Sequence, residues 1–218
     1  MSCLFVDNLK FYHIKRVAVI YYYKLCKEIF MAIKIFIDQG HNPRNPNSGA
    51  EGNGLQEADL TYKIGIILRD MLNKNPEYEA ITSRNSPDEI LGTSNSTSLS
   101  ARTRAANEWG ADYFISLHAN ASSNSSATGS EAFVYSQTSK AKPLAESILK
   151  WLQYIVGVRP RGVFARPGLY VLRKTAMPAL LLEMGFITNA GEARNMNENP
   201  GDYALGIYDG IINYFGTN

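Results

Sequence analysis

The chain from Met31 onward alternates short β-rich runs with stretches of helical periodicity, and this alternation constrains the fold more than any other feature of the sequence. The apolar runs typical of strands are IKIFID, YEAIT, DYFISLH, EAFVY, LYVL and ALLLE. Strands that alternate with helices are typical of a sheet covered by helices. The sequence therefore predicts an α/β fold: a single domain with a central mixed, mostly parallel sheet flanked by helices.

The helical stretches carry apolar residues on one face and have recognisable ends. Ser98 is a candidate N-cap for a helix that Gly110 ends, because serine accepts a hydrogen bond from the first turn and glycine adopts the left-handed conformation beyond the last. Another helix is predicted from Lys140 to Val156. Apolar stripes mark one helix at Leu60, Ile64, Ile67, Leu68 and Met71 and the last helix at Ala204, Ile207, Ile211, Tyr214 and Phe215.

Length and charge exclude several classes of protein. With 218 residues and 45% hydrophobic residues, the chain can bury a substantial core, so a disordered protein is excluded. The net charge is only +2, and no basic stretch is interleaved with aromatic residues. We therefore expect no nucleic-acid partner.

Residues 1–30 differ from the rest of the chain. They hold both cysteines and an apolar run from Val17 to Tyr23. That run is too short to span a bilayer, and no small-residue cleavage pattern follows it, so neither a membrane span nor a signal peptide is predicted. We expect this segment to be an extension absent from the natural protein, whose start would be Met31, with residues 31–218 as the functional domain.

An alternative is that the extension forms an anchoring helix whose apolar run rests on a membrane or a partner. The coding sequence bears on the choice, because Lys27 and Glu28 can be encoded as AAGGAG, a purine-rich ribosome-binding sequence one short spacer before the codon of Met31. Without a signal peptide, the chain is expected to be made in the cytoplasm and released by another route. No stable insertion into a membrane is expected.

Two histidines follow predicted strands at points where apolar residues give way to small polar ones. His41 stands in FIDQGH and His118 in FISLHAN, and no other histidine occurs after Met31. Both are expected at the carboxyl edge of the sheet, where open α/β folds bind ligands. One histidine there is usually an ordinary hydrogen-bonded residue, but two together indicate a metal site.

A catalytic zinc ion commonly takes two histidines and one carboxylate and leaves a position open for water. The sequence offers Glu57 at the start of the first predicted helix, with Glu51 and Asp59 close by. An acid in a first helical turn can instead serve only to complement the helix dipole. Spacing alone does not choose among the three acids.

Glu183 ends the apolar run ALLLE and is followed by Met-Gly-Phe. Burial raises the pKa of a carboxyl group, so an acid in this position is a candidate general base towards a metal-activated water. The alternative is a buried glutamate that a backbone or arginine partner satisfies.

The chain from Ile33 to Phe215 resembles the zinc-dependent N-acetylmuramoyl-L-alanine amidases that cut peptidoglycan, and the resemblance rests on five segments. In chain order they are IDQGHNP, GNGLQEADL, SLSARTRAANEWGADYFISLHAN, RGV and LYVLRKTAMPALLLEMGFITN. The resemblance implies that His41, Glu57 and His118 bind one zinc ion per chain. It also implies that Glu183 is catalytic.

The segment around His41 departs from the family pattern. The family usually reads Asp-Pro-Gly-His-Gly-Gly there, whereas this chain reads Asp-Gln-Gly-His-Asn-Pro. Gly40, which lets the backbone turn close to the metal, is kept. We therefore expect the metal site to be retained and the neighbouring loop to approach the substrate differently.

The activity implied by the resemblance is hydrolysis of the amide bond between N-acetylmuramic acid and L-alanine, as in bacterial autolysins and phage endolysins. Glu183 would take a proton from the zinc-activated water and then deliver it to the leaving amine. Arg161 and Arg173 could bind carboxylates of the stem peptide or could be surface residues, and Asn120 is a further candidate for substrate binding.

Peptidoglycan is thus the expected partner and the cell wall the expected place of action. Activator-dependent relatives carry a long insert before the segment LYVLR, which is absent here, so no activator protein is expected. Two alternatives stay open: a zinc peptidase that cuts within the stem peptide, and a non-catalytic peptidoglycan-binding module. The peptidase would use the same site, whereas the module would lack a ligand or the catalytic glutamate.

Overall fold

The computed structural model describes residues 32–217, so the predictions for residues 1–30 lie outside the described residues. From Ile33 onward the chain forms one compact unit. None of the helices in this described part is long and apolar enough to cross a membrane.

The strands of the described part form one sheet and one short ribbon. In chain order they are β1 (Ile33–Gln39), β2 (Glu51–Gly52), β3 (Leu55–Gln56), β4 (Tyr78–Thr82), β5 (Tyr113–Asn120), β6 (Ser130–Val134), β7 (Pro160–Ala165) and β8 (Ala179–Phe186). The six-stranded sheet has the order β4-β1-β5-β8-β6-β7, and β2 pairs with β3 in the ribbon. Within the sheet all neighbours are parallel except β6 and β8. The predicted mixed, mostly parallel sheet is confirmed.

Helices cover both faces of the sheet. They are α1 (Glu57–Lys74), α2 (Asn95–Trp109), α3 (Lys142–Val156), α4 (Tyr170–Lys174), α5 (Ala190–Glu198) and α6 (Pro200–Phe215). Helices α1, α3 and α6 pack on one face of the sheet, whereas α2 and α4 pack on the other. The predicted flanking helices are thereby confirmed.

Successive side chains of a strand point to opposite faces, and the apolar strands of this sheet fill a core on each side. On the first face Ile35, Ile115 and Leu182 are fully buried beneath α1, α3 and α6. On the second face Phe36 and Phe114 stack with ring centroids 5.6 Å apart, beneath α2 and α4. Strands buried on both faces read as continuous apolar runs, which is why they were recognisable in the sequence.

The topology brings the carboxyl ends of β1, β5 and β8 to one edge of the sheet. In the registers, Gln39 pairs with Leu117 and His118 pairs with Glu183. Because these three strands are parallel, the residues that follow or end them converge. This edge holds the two histidines and the second carboxylate.

Two of the sequence predictions for secondary structure, the strand LYVL and the cap at Ser98, are wrong, and one strand was missed. The run LYVL forms the start of α4 rather than a strand, and residues Pro160–Ala165, which were not predicted as a strand, form β7. The N-cap of α2 is Ser94, which makes a capping box with Thr97, and not Ser98. Gly110 ends that helix in the left-handed conformation, as predicted.

Candidate metal centre and active site

His41 lies in the turn that follows β1, where the chain passes very close to β5. A Cβ atom on Gly40 would lie 2.5 Å from the carbonyl oxygen of Leu117 and from Cε1 of His118, so only glycine fits. His41 itself has a φ of 67°, which is unusual for a residue with a side chain. Its Nδ1 contacts Oδ1 of Asn47 at 3.1 Å, and Nε2 is thereby turned towards Glu57.

Glu57 is the first residue of α1 and is buried between the two histidines. Its Oε2 lies 3.3 Å from Nε2 of His41, and its Oε1 lies 3.0 Å from Nδ1 of His118. The backbone N–H groups of Ala50 and Ala119 donate to the same two oxygens, at 2.9 and 3.0 Å. The carboxylate is therefore fixed in position from both sides.

Two opposing effects act on the pKa of Glu57. Burial alone would raise this pKa, but hydrogen bonds and charge from His118 and His41 outweigh burial and hold it well below its usual range. Of the three acids left open by the sequence, Glu57 alone is buried, while Glu51 and Asp59 are exposed.

His118 projects from β5 and is held on the side away from Glu57 as well. Its Nε2 contacts Oγ of Ser116 at 3.1 Å, and the Ser116 hydroxyl donates to Oδ2 of Asp38 at 2.7 Å. Because that hydroxyl proton is committed to Asp38, the oxygen accepts from Nε2–H of His118, and Nδ1 faces Glu57. Burial lowers the pKa of His118, but contact with Glu57 outweighs burial and raises it.

Arg102 ties this outer network to the turn that carries His41. Its guanidinium donates to Oδ1 of Asp38 at 2.7 Å, to the carbonyl of His41 at 2.6 Å and to Oδ1 of Asn42 at 3.0 Å. Burial raises the pKa of Asp38, but the charge of Arg102 and its hydrogen bond outweigh that effect and lower it. Arg102 thereby connects the buried Asp38 to the backbone of the turn in which His41 has its positive φ.

Sequence reasoning missed several residues of this network. Ser116 lies two positions before His118 on β5 and shares its face because strand side chains alternate, whereas Asp38 lies on β1 and His41 in the turn that follows that strand. That periodicity could have found Ser116. Arg102 lies far from both in the sequence, and no local pattern indicates its role. Ser98, expected as a cap, instead accepts a hydrogen bond from Asn47 at 3.3 Å.

Together, His41, Glu57 and His118 form a group whose candidate ligand atoms lie within 4.8 Å of one another. Two imidazole nitrogens and one carboxylate oxygen are the donor set that a catalytic zinc ion takes. The geometry supports this fit, because Nε2 of His41 and Nδ1 of His118 both face the carboxylate of Glu57, so that a cation between the three side chains would be bound by all of them.

Glu183 lies within β8, which continues to Phe186 instead of ending at Glu183 as the sequence suggested, and it is paired in the register with His118. Its Oε2 is buried and has no hydrogen-bond partner among residues 32–217. Burial raises the pKa of Glu183 to about 7, with a further contribution from Glu57 and Glu131, while His118 acts in the opposite direction. A carboxyl group with a pKa near neutrality can both accept and deliver a proton.

The predicted substrate-binding residues Asn120 and Arg161 meet at one acid, Glu131. Nδ2 of Asn120 donates to Oε1 of Glu131 at 2.9 Å, and Nε of Arg161 donates to Oε2 at 2.9 Å. Glu131 lies across the β6–β8 register from Glu183, and sequence reasoning missed it. Arg173 lies exposed in the last turn of α4. The roles of Asn120, Arg161 and Arg173 stay predictions.

A buried carboxylate between two histidines, beside a second carboxylate with a raised pKa, is typical of metal-dependent hydrolases on an α/β scaffold. The particular family follows from comparison with known proteins. A family model described as N-acetylmuramoyl-L-alanine amidase matches residues 35–213, and the chain belongs to this family.

Individual relatives agree with this assignment. The chain is 40% identical over 173 residues to the N-acetylmuramoyl-L-alanine amidase CwlM of Bacillus licheniformis, covering 77% of this chain and 62% of that protein. It is 39% identical over 168 residues to the sporulation-specific N-acetylmuramoyl-L-alanine amidase of Bacillus subtilis, covering 75% and 60%. The chain thus spans about 60% of the length of these curated relatives.

A solved structure shows the same fold. The crystal structure of an N-acetylmuramoyl-L-alanine amidase from Clostridium difficile 630 is similar with a TM-score of 0.76 and 31% sequence identity. The match covers 86% of this chain and 98% of that one. The sheet and its helices are therefore those of an amidase catalytic domain.

Proposed function

We propose that this chain is a zinc-dependent peptidoglycan hydrolase that cleaves the amide bond between N-acetylmuramic acid and the L-alanine of the stem peptide. One observation carries the proposal: the ligand atoms of His41, Glu57 and His118 lie within 4.8 Å of one another, with Glu183 across the register from His118. The names of the relatives, and the large share of this chain that matches them, support peptidoglycan as the substrate class.

His41, Glu57 and His118 would hold one zinc ion. When bound, zinc supplies Lewis acidity that acidifies a water molecule and polarises the amide carbonyl. Asn47 and Ser116 hold the outer nitrogens of the two imidazoles, so that each ring keeps one nitrogen directed at Glu57. The protein thereby fixes the orientation of all three ligands in advance.

Glu183 would move the proton. In its carboxylate form it accepts a proton from the attacking water, and in its acid form it delivers that proton to the amine of L-alanine as the amide bond breaks. The pKa of about 7 suits both steps, because neither form is strongly favoured at neutral pH. The absence of a partner for Oε2 within residues 32–217 leaves this oxygen available for the exchange.

The cell wall is the proposed place of action, with peptidoglycan as the partner. We also propose that no activator protein is needed, because the segment between α3 and α4 in the described part consists of β7 and short connections. Asn120 and Arg161, which both contact Glu131 beside Glu183, are proposed to line the substrate path.

The test is mass spectrometry of purified peptidoglycan digested by the zinc-loaded protein. We expect intact stem peptides that begin with L-alanine, together with glycan strands that carry free lactyl carboxyl groups. The His118→Ala and Glu183→Gln variants serve as controls, since the first should lose zinc and the second should keep it without releasing product. Fragments cut inside the stem peptide, with L-alanine still attached to muramic acid, would contradict the proposal.

A further inference from the structure

The face of the sheet that carries Glu183 continues outward onto β6 and β7. In the registers, Glu131 of β6 lies opposite Glu183, and Phe133 lies opposite both Leu181 of β8 and Phe164 of β7. Because residues two apart in a strand share a face, Glu131 and Phe133 lie on the same side of the sheet as Glu183. This side is the one that α2 and α4 cover farther inward.

On β7 this face stays open in the part of the chain that the structure describes, whereas Phe133 of β6 is partly buried against the core beneath α2 and α4. Helix α3 packs on the opposite face of the two strands. The open side exposes large side chains: Phe164 is 39% exposed and Tyr135 is 48% exposed. Exposure alone does not mark a site, since Tyr154 of α3 is 77% exposed, but here the exposed aromatic residues adjoin Phe133 and an arginine on the face that carries Glu183. We call Phe133, Tyr135, Phe164 and Arg166 the outer shelf.

The outer shelf carries positive charge. The guanidinium carbon of Arg166 lies 5.3 Å from the centre of the Phe133 ring, and Phe133 in turn lies 6.5 Å from Phe164 between ring centres. Among residues 32–217, the hydrogen bond of the Arg166 guanidinium is a long one of 3.4 Å to the carbonyl of Ala165. Its charge is therefore not neutralised by a carboxylate of this part of the chain, in contrast to Arg161, which pairs with Glu131 at 2.9 Å.

We propose that the outer shelf binds the stem peptide beyond its L-alanine, with Arg166 holding a carboxylate and Phe164 and Tyr135 contacting aliphatic parts. This inference rests on the proposed function and identifies which arm of the substrate lies on this surface. The glycan arm carries no free carboxyl group, because the carboxyl of muramic acid is consumed in the amide bond. The stem peptide does carry free carboxylates, which complement Arg166.

The dimensions fit this occupant. Strands lie ~4.8 Å apart and rise ~3.4 Å per residue, so Phe164 should lie roughly 12 Å from Glu183 along the sheet surface. An extended peptide covers that distance in about three to four residues. A stem peptide cleaved beside Glu183 therefore reaches the outer shelf with the residues that follow L-alanine.

The experiment uses two synthetic muramyl peptides that differ in one respect: the carboxylates beyond L-alanine are free in one and are primary amides in the other. For the zinc-loaded protein we expect a higher kcat/KM on the free acid. The Arg166→Gln variant should lower the acid-to-amide ratio of kcat/KM about tenfold, the scale of one hydrogen bond between charged groups. The loss should appear in KM, because Arg166 does not touch the reacting atoms.

Two further variants control for charge and geometry. Arg104→Gln removes the same charge from an exposed position on α2, where Arg104 pairs with Glu108 at 3.9 Å, and should leave the ratio unchanged. Arg166→Lys keeps the charge and should retain most of the preference. The outer shelf is refuted if the protein cleaves both substrates and Arg166→Gln has the acid-to-amide ratio of the unmodified chain. Failure of the proposed function looks different, because the unmodified chain would then release L-alanyl peptide from neither substrate, which overturns both ideas.

Discussion

The two carboxylates of the site, Glu57 and Glu183, have opposite environments although both are largely buried. Contacts with His118 and His41 hold the pKa of Glu57 below its usual range, whereas burial raises the pKa of Glu183 to about 7. A permanently ionised carboxylate suits a cation ligand, and one that titrates near neutrality suits proton transfer. The two environments thus fit the different tasks that we propose for two residues of the same type.

Replacing Glu183 by glutamine should separate metal binding from hydrolysis. The amide keeps the shape of the side chain but cannot accept a proton, so hydrolysis should fall by on the order of a hundredfold or more. Elemental analysis should still find one zinc ion per chain. Turnover near that of the unmodified protein, in a zinc-loaded Glu183→Gln sample, would place the base elsewhere.

The raised pKa of Glu183 also predicts a stability difference that depends on pH. The folded state holds this proton up to about pH 7, while the unfolded chain releases it near 4.5, so folding loses stability as the pH rises through that window. Metal-free protein and its Glu183→Gln variant should therefore be similarly stable at pH 5. At pH 8 the variant should be the more stable one in urea unfolding. An equal difference at both pH values would contradict the buried, proton-holding carboxyl group.

Ser116→Ala should weaken zinc binding although Ser116 is not a ligand. The change removes the acceptor that orients Nε2–H of His118 and leaves Asp38 without that donor. Loss of such an outer partner costs roughly 10–100-fold in metal affinity. Competition with a chromophoric chelator measures the dissociation constant. Ser147→Ala is the matched control. Ser147 lies in α3, and its hydroxyl donates to the carbonyl of Gly210 at 2.8 Å, so this variant also loses a hydroxyl hydrogen bond but not one to a proposed metal ligand.

At the scale of elements, the contact between α3 and α6 depends on small residues. A Cβ atom on Gly210 would lie 2.6 Å from Cα of Ile148, so the two helix backbones are in direct contact there. Helices that approach this closely cannot accommodate even a methyl group without moving apart. The core on the first face of the sheet therefore depends on this glycine.

Gly210→Ala should destabilise the protein by about 1 kcal/mol or more. A contact of 2.6 Å with a backbone atom should cost about 2 kcal/mol or more, within the roughly 1–3 kcal/mol range for overpacking, and this exceeds the ~1 kcal/mol that alanine gains in helix propensity. Gly201→Ala is the matched control in the same helix, because a Cβ there meets no atom within 4 Å. Urea unfolding should show a loss for the first variant and no loss, or a small gain, for the second. If both variants gained stability, the close contact would be wrong.

The sequence predicted the elements whose local pattern and tertiary role agree. Strands β1, β5 and β8 are buried on both faces and read as apolar runs in the sequence. The change from apolar to polar residues then located His41 and His118 near the carboxyl ends of β1 and β5. The run LYVL failed because four apolar residues cannot distinguish a strand from one helical turn, and here α4 uses Val171 and Leu172 to cover the sheet.

Other features could not be predicted from local patterns. Strand β7 is an edge strand that begins with Pro160 and contains Gly162, a composition that argues against a strand until its position at the edge is known. The choice of Glu57 over its neighbours came from family resemblance, and only the packing against His118 and His41 explains it physically. Interactions between distant segments, such as that of Arg102 with Asp38, leave no periodic signal.

At the scale of the whole molecule, metal should couple to stability because its proposed ligands come from three separate elements. A ligand that binds only the folded state adds about 2.7 kcal/mol when present at a hundred times its dissociation constant. Removing zinc with a chelator should therefore lower the thermal midpoint by several degrees. The His118→Ala variant should show no such change under the same treatment. A chelator-induced shift of equal size in that variant would show that the stabilising metal lies elsewhere.

The position of β8 in the sheet has a consequence for the time at which the protein becomes active. It lies between β5 and β6, yet among residues 32–217 it comes last of the strands in the sequence. Before β8 is synthesised, β4, β1 and β5 can pair with one another, and β6 can pair with β7. The two groups of strands have no hydrogen-bonded strand between them until β8 is added. The strand that closes this gap is also the one that delivers Glu183. Because Glu183 is the proposed proton-transfer residue, we expect a nascent chain that lacks β8 to be inert and to gain hydrolytic activity only when the sheet is completed.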